Sequence, residues 1–276
     1  MNLLEISTEV RRILAETDLD ASYYTPTDIK KFTFEGIKHM CIEGKVYEKS
    51  LSLTISDNIG EYYLPHDFIG IKSFRNQKGV PLDALEVDEV GGVYIIPGKP
   101  LNYYLLSKSF SPTAWVGGTS YIIFPPACTV ALTYIKPTVV NGYLYECVLS
   151  GSSGVAEPDW STEVGAQVSD GGINWKCREL FSSLYTLNLY DTPTLAGGGI
   201  GTYKMVYAAV DEGLFTDTDS PNFPSIKHHY LVPYTCYRCA LKGKDLTLAM
   251  AFLTEYNAGM GFKMELPAGG GVGTEE

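Results

Sequence analysis

The sequence predicts an α+β fold, in which helices from both ends of the chain form a helical bundle and an antiparallel β domain is inserted between them. Three observations predict this arrangement. Apolar residues recur every three or four positions near both ends of the chain, whereas they alternate with polar residues through much of the middle. A change of composition within the β region predicts a small β-module nested in that insert.

Two helices are predicted at the N-terminal end. Residues 2–16 place Ile6 and Val10 on one apolar face at a spacing of four. A second helix is predicted to begin at Thr25, whose hydroxyl can cap the first turn, and Pro26 suits the first helical position. Neither helix would be stable alone, so each is expected to pack its apolar face against the rest of the protein.

The middle of the chain has the pattern of strands. Apolar and polar residues alternate over 51–55, and further short apolar segments are bounded by glycine or proline. Beyond Pro224 the helical period returns, and Pro233 is expected to kink the closing segment or to begin its helix. The predicted domains are a helical body (1–50 and 224–262), an antiparallel β domain (51–137 and 180–223), an inserted β-module (138–179) and a flexible C-terminal tail (263–276).

The composition excludes several classes of protein. The chain has 276 residues, of which 32 are Asp or Glu and 21 are Lys or Arg, so its formal net charge is −11. Non-specific binding to nucleic acid needs clustered positive charge. The negative net charge of this chain therefore argues against a non-specific nucleic-acid-binding protein. No apolar run approaches the length of about 18 residues that a transmembrane helix needs, and no signal peptide is expected. Six cysteines are too thinly spread for a disulfide scaffold.

Two motifs suggest chemistry, but neither is complete. Cys236 and Cys239 form a Cys-x-x-Cys pair without a second pair of ligands, so we expect buried thiols rather than a zinc site. The glycine-rich run Leu195–Gly201 looks like a phosphate-binding loop, but a predicted strand follows it, which favours a hairpin tip. No Gly-x-Ser-x-Gly nucleophile motif is present, only four histidines could serve as a base, and an acidic chain contains carboxylate pairs by chance. No residue therefore gives positive support to an enzyme, and we expect no catalytic residue, cofactor or metal.

The predicted insert contains a set of aromatic and glycine motifs in a characteristic order. They are Asn141–Cys147, Ser150–Gly154, Glu157–Trp160 and Asp170–Trp175. The segment is similar to a small β-module, related to carbohydrate-binding modules of chitinases, that recurs in phage virion proteins. The resemblance implies Tyr143, Trp160 and Trp175 as candidates for stacking on a sugar. The alternative is that these aromatic side chains form the core of the module, because so small a module has few other apolar residues.

The rest of the chain has a second ordered set of motifs between its two pairs of predicted helices. They are Glu61–Ser73, Gly79–Leu82, Pro97–Pro100, Ile122–Pro126 and Val130–Tyr134. In this pattern the chain resembles the head-to-tail adaptor (connector) proteins of tailed bacteriophages, especially the short-tailed ones. It departs from them at Pro233, which falls in a normally unbroken helix, and in the insert.

This second resemblance implies a structural virion protein without enzymatic activity. It implies a homo-oligomeric ring, of twelve copies, that docks beneath the portal protein in the head-to-tail neck after assembly in the host cytoplasm. The ring would extend the DNA channel, let genomic DNA pass without specific binding, and present a platform for tail nozzle or tail fibre proteins. The alternative function is a carbohydrate-binding or host-adhesion virion protein.

The resemblance also implies which residues form contacts with other proteins. Family members grip the portal with an extended C-terminal segment, so the end of this chain is a candidate for that contact. The glycine-rich loop is a further candidate interface. The residues predicted at the interface with the portal or a neighbouring subunit are Arg11, Arg12, Gly259, Phe262, Met264 and the loop Gly197–Gly201.

Overall fold

The computed structural model describes residues 1–15, 23–86, 98–123, 133–181, 183–211 and 216–262. The chain divides into two compact units. One, the helical unit, consists of Met1–Tyr47 with Val210–Glu276, and the other, the β unit, consists of Glu48–Ala209. The four-part division of the chain predicted from the sequence stays a prediction.

The described part of the helical unit contains four α-helices and one 3₁₀ helix. The helices are α1 (Leu3–Ile13), α2 (Pro26–Gly44), a 3₁₀ helix (Ser225–Tyr230), α3 (Leu231–Lys242) and α4 (Leu246–Met260). Reciprocal hydrogen bonds cap α1, between Asn2 and Glu5, and α2, between Thr25 and Asp28. Such caps satisfy backbone N–H groups that have no partner within the helix, and they confirm the two predicted helix starts.

Pro233 is the third residue of α3, and the 3₁₀ helix ends immediately before α3 begins. In the first turn of a helix the backbone N–H has no intrahelical acceptor, so proline is tolerated there. The prediction that Pro233 lies at the beginning of its helix is therefore confirmed.

Helix α3 packs against each of the other three α-helices of the helical unit. Thr33 of α2 and Thr235 of α3 satisfy each other by a buried hydrogen bond of 3.2 Å. An ion pair of 2.7 Å joins Arg238 to Glu35 on the same pair of helices. Buried apolar side chains from all four helices form the core, including Ile6, Val10, Ile29, Ile37, Met40, Leu231, Cys236, Cys239 and Tyr256. Among the described residues, no helix has the length and apolar character needed to cross a bilayer.

The described part of the β unit contains fourteen strands in four sheets. In chain order these strands are β1 (Glu48–Ile55), β2 (Glu61–Tyr63), β3 (Phe68–Arg75), β4 (Asp83–Ala84), β5 (Asn102–Ser109), β6 (Thr113–Ala114), β7 (Ser120–Tyr121), β8 (Tyr134–Lys136), β9 (Tyr143–Leu149), β10 (Gly151–Ser152), β11 (Gln167–Asp170), β12 (Ile173–Glu179), β13 (Ser183–Tyr190) and β14 (Gly201–Ala209).

The sheets differ in size and in strand order. The strand orders are β1-β14-β3, β2-β13-β5-β4, β11-β12-β9-β8-β6 and β10-β7. The alternation predicted over 51–55 is confirmed, because Leu51, Leu53 and Ile55 are buried while Ser52 and Thr54 are exposed. This alternation follows from the period of two along a strand.

The predicted helical bundle with an inserted antiparallel β domain is wrong. Of the described residues, 32% lie in strands and 27% in helices, so this part of the chain contains more strand than helix. The helices at the two ends are easy to detect in the sequence because their apolar residues recur with a helical period. Strands of two or three residues are too short to show alternation, so the sequence pattern misses them. The pairings of β4 with β5 and of β6 with β8 are parallel, so the strands also do not form one antiparallel sheet.

Candidate functional site

A buried carboxylate organises the tryptophans of the β unit. Trp175 of β12 is 0% exposed, and its indole Nε1 donates to Oδ2 of Asp170 at 3.0 Å. Trp115 donates to the same oxygen at 2.8 Å, and the backbone N–H of Gly154 donates to Oδ1 at 2.7 Å. All three donors are satisfied by one buried side chain, so this arrangement belongs to the core rather than to an open binding site.

Trp160 and Tyr143 are half-buried against this same core. The ring of Trp160 lies 4.3 Å from that of Tyr145, between centroids, and its Nε1 donates to Glu157 at 2.8 Å. Trp160 is therefore partly exposed, whereas Trp175, which is fully buried, cannot stack on a sugar while the unit is folded. The three tryptophans and Asp170 are called the indole cluster below.

Two members of the indole cluster were not predicted as site residues. Trp115 lies outside the predicted insert, directly after β6, and the parallel pairing of β6 with β8 helps to bring it beside Asp170. Asp170 stands before Gly171 and Gly172 at the turn between β11 and β12, a position that suggests a turn rather than a partner for indoles. The chain has three tryptophans in all, and this small number is the sequence signal that could have suggested that they share one core.

The two predicted arginines of α1 lie in different environments. Arg11 is 7% exposed, and its Nη2 donates to the backbone carbonyl of Tyr24 at 3.1 Å. Arg12 is exposed and forms an ion pair with Glu9 at 2.6 Å. Arg12 is therefore accessible to another molecule, while Arg11 helps to hold the start of α2 against α1. Their interface role stays a prediction.

Gly259 and Phe262 both belong to packed aromatic surroundings at the end of α4. A Cβ at Gly259 would lie 2.2 Å from a ring carbon of Tyr230, so only glycine fits without movement. Phe262 packs edge-on against His39 and Tyr256, at centroid distances of 5.8 and 5.9 Å. Met264 lies outside the described residues, as does the predicted tail over 263–276.

The ring of His39 makes a hydrogen bond within this aromatic group. Its Nδ1 lies 2.8 Å from the hydroxyl of Tyr256, and burial lowers the pKa of His39 and raises the pKa of Tyr256. Both groups are thereby favoured in their neutral forms. The C-terminal end of α4 is thus held in place by packing of uncharged aromatic side chains.

Helix α4 is composed largely of apolar residues but buries few of them. Only Ala249 and Tyr256 are buried among its residues, while Leu246 is 67% exposed and Met250 is 49% exposed. A helix that is apolar around much of its circumference is normally covered on most sides. The exposed surface of Leu246 and Met250, called the α4 face below, is therefore a candidate interface.

A cleft of about 410 Å³ lies between α1 and α4. Its apolar residues include Ile13 and Phe252, and carboxylates stand beside them. The sequence did not predict this cleft, because it needs two helices from opposite ends of the chain. The cleft, called the α1–α4 groove below, is lined by Met1, Glu5, Glu9, Ile13, His229, Val232, Pro233, Phe252 and Glu255.

The glycine-rich loop serves close packing of two backbone segments. A Cβ at Gly199 would lie 2.2 Å from the carbonyl oxygen of Gly98, and one at Gly197 would lie 2.5 Å from the same residue. The strand β14, rather than a helix, begins at Gly201, so the loop lacks the helix N-terminus that holds phosphate. The predicted interface role of the loop stays a prediction.

The Cys-x-x-Cys pair lies in the core of the helical unit. Cys236 and Cys239 are both buried, and burial raises the pKa of Cys236 to about 12. A thiol with so high a pKa is a poor metal ligand and a poor nucleophile at neutral pH. Within the described ranges, no group of three or more His, Cys, Asp or Glu side chains could hold a metal ion.

No protein-family model matches the chain. No curated protein matches its sequence either.

Proposed function

We propose that the chain is a structural protein of a short-tailed bacteriophage and that it forms a ring-shaped head-to-tail adaptor. In this proposal about twelve copies dock beneath the portal protein in the neck of the virion, after assembly in the host cytoplasm. The ring extends the DNA channel, lets genomic DNA pass without specific binding, and provides a platform for tail nozzle or tail fibre proteins. The chain acts by assembly and not as an enzyme.

The α4 face is the observation that carries this proposal. Leu246 and Met250 leave large apolar surfaces in water in the single chain. Burying a Leu or Met side chain completely contributes about 1.5–3 kcal/mol, so covering this face in an assembly is favourable. A structural ring needs such uncovered apolar surface on every subunit, whereas an isolated enzyme or binding protein does not.

The net charge of −11 supports the part of the proposal that concerns DNA. A channel protein must let phosphates pass without holding them, and binding to phosphates requires clustered lysine and arginine. A strongly acidic chain is suited to a channel through which DNA slides.

No specific observation favours the carbohydrate-binding alternative. Trp175 is fully buried, and Trp160 is packed against Tyr145 with its indole nitrogen bound to Glu157. A sugar-stacking site needs a flat aromatic surface open to solvent. The indole N–H groups of the cluster instead donate to carboxylates of the same unit, Asp170 and Glu157.

Mixing the purified chain with the portal protein of the same virus tests the proposal. We expect electron microscopy to show rings of extra density beneath the portal, with the chain also present at the neck in purified virions. The variant Leu246→Glu with Met250→Glu should lose this density, because two charges cannot be buried in the contact. Ser52→Glu with Thr54→Glu, at two exposed positions of β1 in the β unit, is the matched control for added charge and should retain it. A portal that stays bare with the wild-type chain would refute the proposal.

A further inference from the structure

The carboxylates of the α1–α4 groove differ in how far they are already neutralised. Glu9 pairs with Arg12 at 2.6 Å, and Glu5 lies 3.9 Å from the amino group of Met1. Glu255 of α4 is exposed and forms no salt bridge among the residues that the structure describes. The groove therefore combines an apolar surface with an excess of negative charge, and Glu255 is its carboxylate best placed to meet a cation.

The outer side of α2 has the complementary chemistry. Lys31, Phe34, Lys38 and Ile42 follow one another at spacings of three and four, so they share one side of the helix. Lys31 is exposed, Ile42 is 48% exposed, and the ammonium group of Lys38 lies 4.5 Å from the centre of the Phe34 ring. These four residues, called the α2 stripe below, alternate positive charge with apolar surface.

We propose that the α2 stripe of one copy docks into the α1–α4 groove of the next copy. This inference rests on the proposed function, because it names the contact by which the ring would close. One lysine of the stripe would meet Glu255 and the other would share Glu9 with Arg12, while the apolar side chains Phe34 and Ile42 would cover the floor of the groove. Complementary charge fixes the register of such a contact, and apolar burial supplies most of its free energy.

The two surfaces match in length. A helix rises about 1.5 Å per residue, so Lys31 and Ile42 lie roughly 16 Å apart along α2, and Glu5 and Ile13 lie roughly 12 Å apart along α1. A short helical segment of one copy can therefore lie along the groove of another and contact both α1 and α4.

The proposed contact is heterologous, because stripe and groove consist of different residues of one chain. A copy whose stripe is occupied still has an open groove, so the same contact can repeat from copy to copy. Repetition of a heterologous contact produces a ring when the rotation closes and a filament when it does not. An isologous contact, in which one surface meets itself, would stop at a dimer.

A charge swap tests the contact by sedimentation velocity of the full chain. The variant Lys31→Glu with Lys38→Glu makes the stripe negative, and the variant Glu9→Lys with Glu255→Lys makes the groove positive. Each variant alone sets like charges against each other, so we expect self-association at least ~10-fold weaker than that of the wild type. An equimolar mixture of the two variants restores opposite charges at both contacts and should associate as the wild type does.

The recovery on mixing keeps the test informative, because a misfolded variant could not recover. Lys78→Glu with Lys204→Glu, two exposed lysines of the β unit, is the matched control for net charge and should associate normally. Variants that associate as well as the wild type, or a mixture that does not recover, would overturn the inference. So would a wild-type chain that remains monomeric at ~1 mM, a concentration at which even a contact of about −4 kcal/mol is detected.

The outcomes separate this inference from the proposed function. Binding of the wild-type chain to the portal without recovery on mixing would overturn the inference and leave the adaptor function standing. Recovery on mixing without binding to the portal would support the contact and overturn the adaptor function.

Discussion

The indole cluster and the α4 face use apolar residues in opposite ways. In the cluster, Asp170 accepts hydrogen bonds from two indoles and one backbone N–H, and Trp175 is fully buried. On α4, Leu246 and Met250 remain in water although nothing polar requires them there. Conspicuous aromatic residues can therefore be entirely occupied with folding. The surface left for a partner lies where apolar side chains stay exposed, as Leu246 and Met250 do.

The largest effect is expected from truncating the buried tryptophan. Trp175→Ala should lower the free energy of unfolding by about 3–5 kcal/mol, because it removes a fully buried ring and leaves a cavity. Chemical denaturation followed by the fluorescence of Trp115 and Trp160 measures the loss, since all tryptophans of the chain belong to this cluster. Trp160→Ala is the control and should cost less, because Trp160 is only half-buried. Equal losses of stability in Trp175→Ala and Trp160→Ala would contradict the difference in packing between the two rings.

The carboxylate at the centre of the cluster should matter almost as much. Asp170→Asn keeps the size of the side chain but places an amide where charged oxygens accept three hydrogen bonds. We expect a loss of about 2–3 kcal/mol in the free energy of unfolding, the cost of weakening bonds to buried donors. Asp159→Asn, at an exposed position nearby in the chain, should change the stability by less than about 0.5 kcal/mol. If the two variants were equally stable, Asp170 would not organise the cluster.

Gly259 tests whether the end of α4 is packed or free. Gly259→Ala places a Cβ against the ring of Tyr230. Overpacking costs about 1–3 kcal/mol and the better helix propensity of alanine offsets about 0.5–1 kcal/mol, so a net loss of about 1 kcal/mol is expected. Circular dichroism during denaturation measures the helical unit, and Ala258→Ser is the neighbouring control. A gain in stability would show that Tyr230 does not restrict this position.

The smallest effect concerns pH and the ion pair between Lys242 and Asp28. The ammonium group of Lys242, with the Thr25 hydroxyl, lowers the pKa of Asp28 to about 2. The lowered pKa means that the stabilisation is complete above the unfolded-state pKa near 4 and is lost as the pH falls through about 2. Because the pair is near the surface, solvent screening keeps its contribution to stability small.

Asp28→Asn should remove this part of the acid dependence, measured as the free energy of unfolding between pH 5 and pH 2 by circular dichroism. Thr27→Ser, at an exposed position of the same helix, changes no titratable group and should leave the pH dependence unchanged. A steeper acid dependence in Asp28→Asn than in the wild type would contradict the direction of the shift.

The sequence predicted local structure better than it predicted architecture. The starts of α1 and α2 follow from side chains within one turn, such as Thr25 and Asp28, and these were found. The balance of strands and helices was not, because strands as short as β4 and β6 have no period of two to detect. The partner of Asp170 was also missed, since Trp115 is 55 residues away in the chain and reaches it through a parallel pairing.

The groove illustrates the same limit in the helical unit. Glu9 and Glu255 come from opposite ends of the chain, and neither has a local pattern that points to the other. Local periodicity identifies which residues form a helix, but only packing decides which helix faces meet. A surface formed by two segments that are distant in the chain therefore cannot be predicted from local sequence patterns.

Hydroxyl-radical labelling of Met250, in the free chain and in purified phage particles that contain it, shows whether assembly covers the α4 face. We expect Met250, which is 49% exposed in the free chain, to be oxidised readily there and to be protected several-fold in the particle. Trp160, in the indole cluster, serves as the internal reference and should be labelled equally in both. Equal labelling of Met250 in the free chain and in the particle would contradict the claim that the α4 face is covered on assembly.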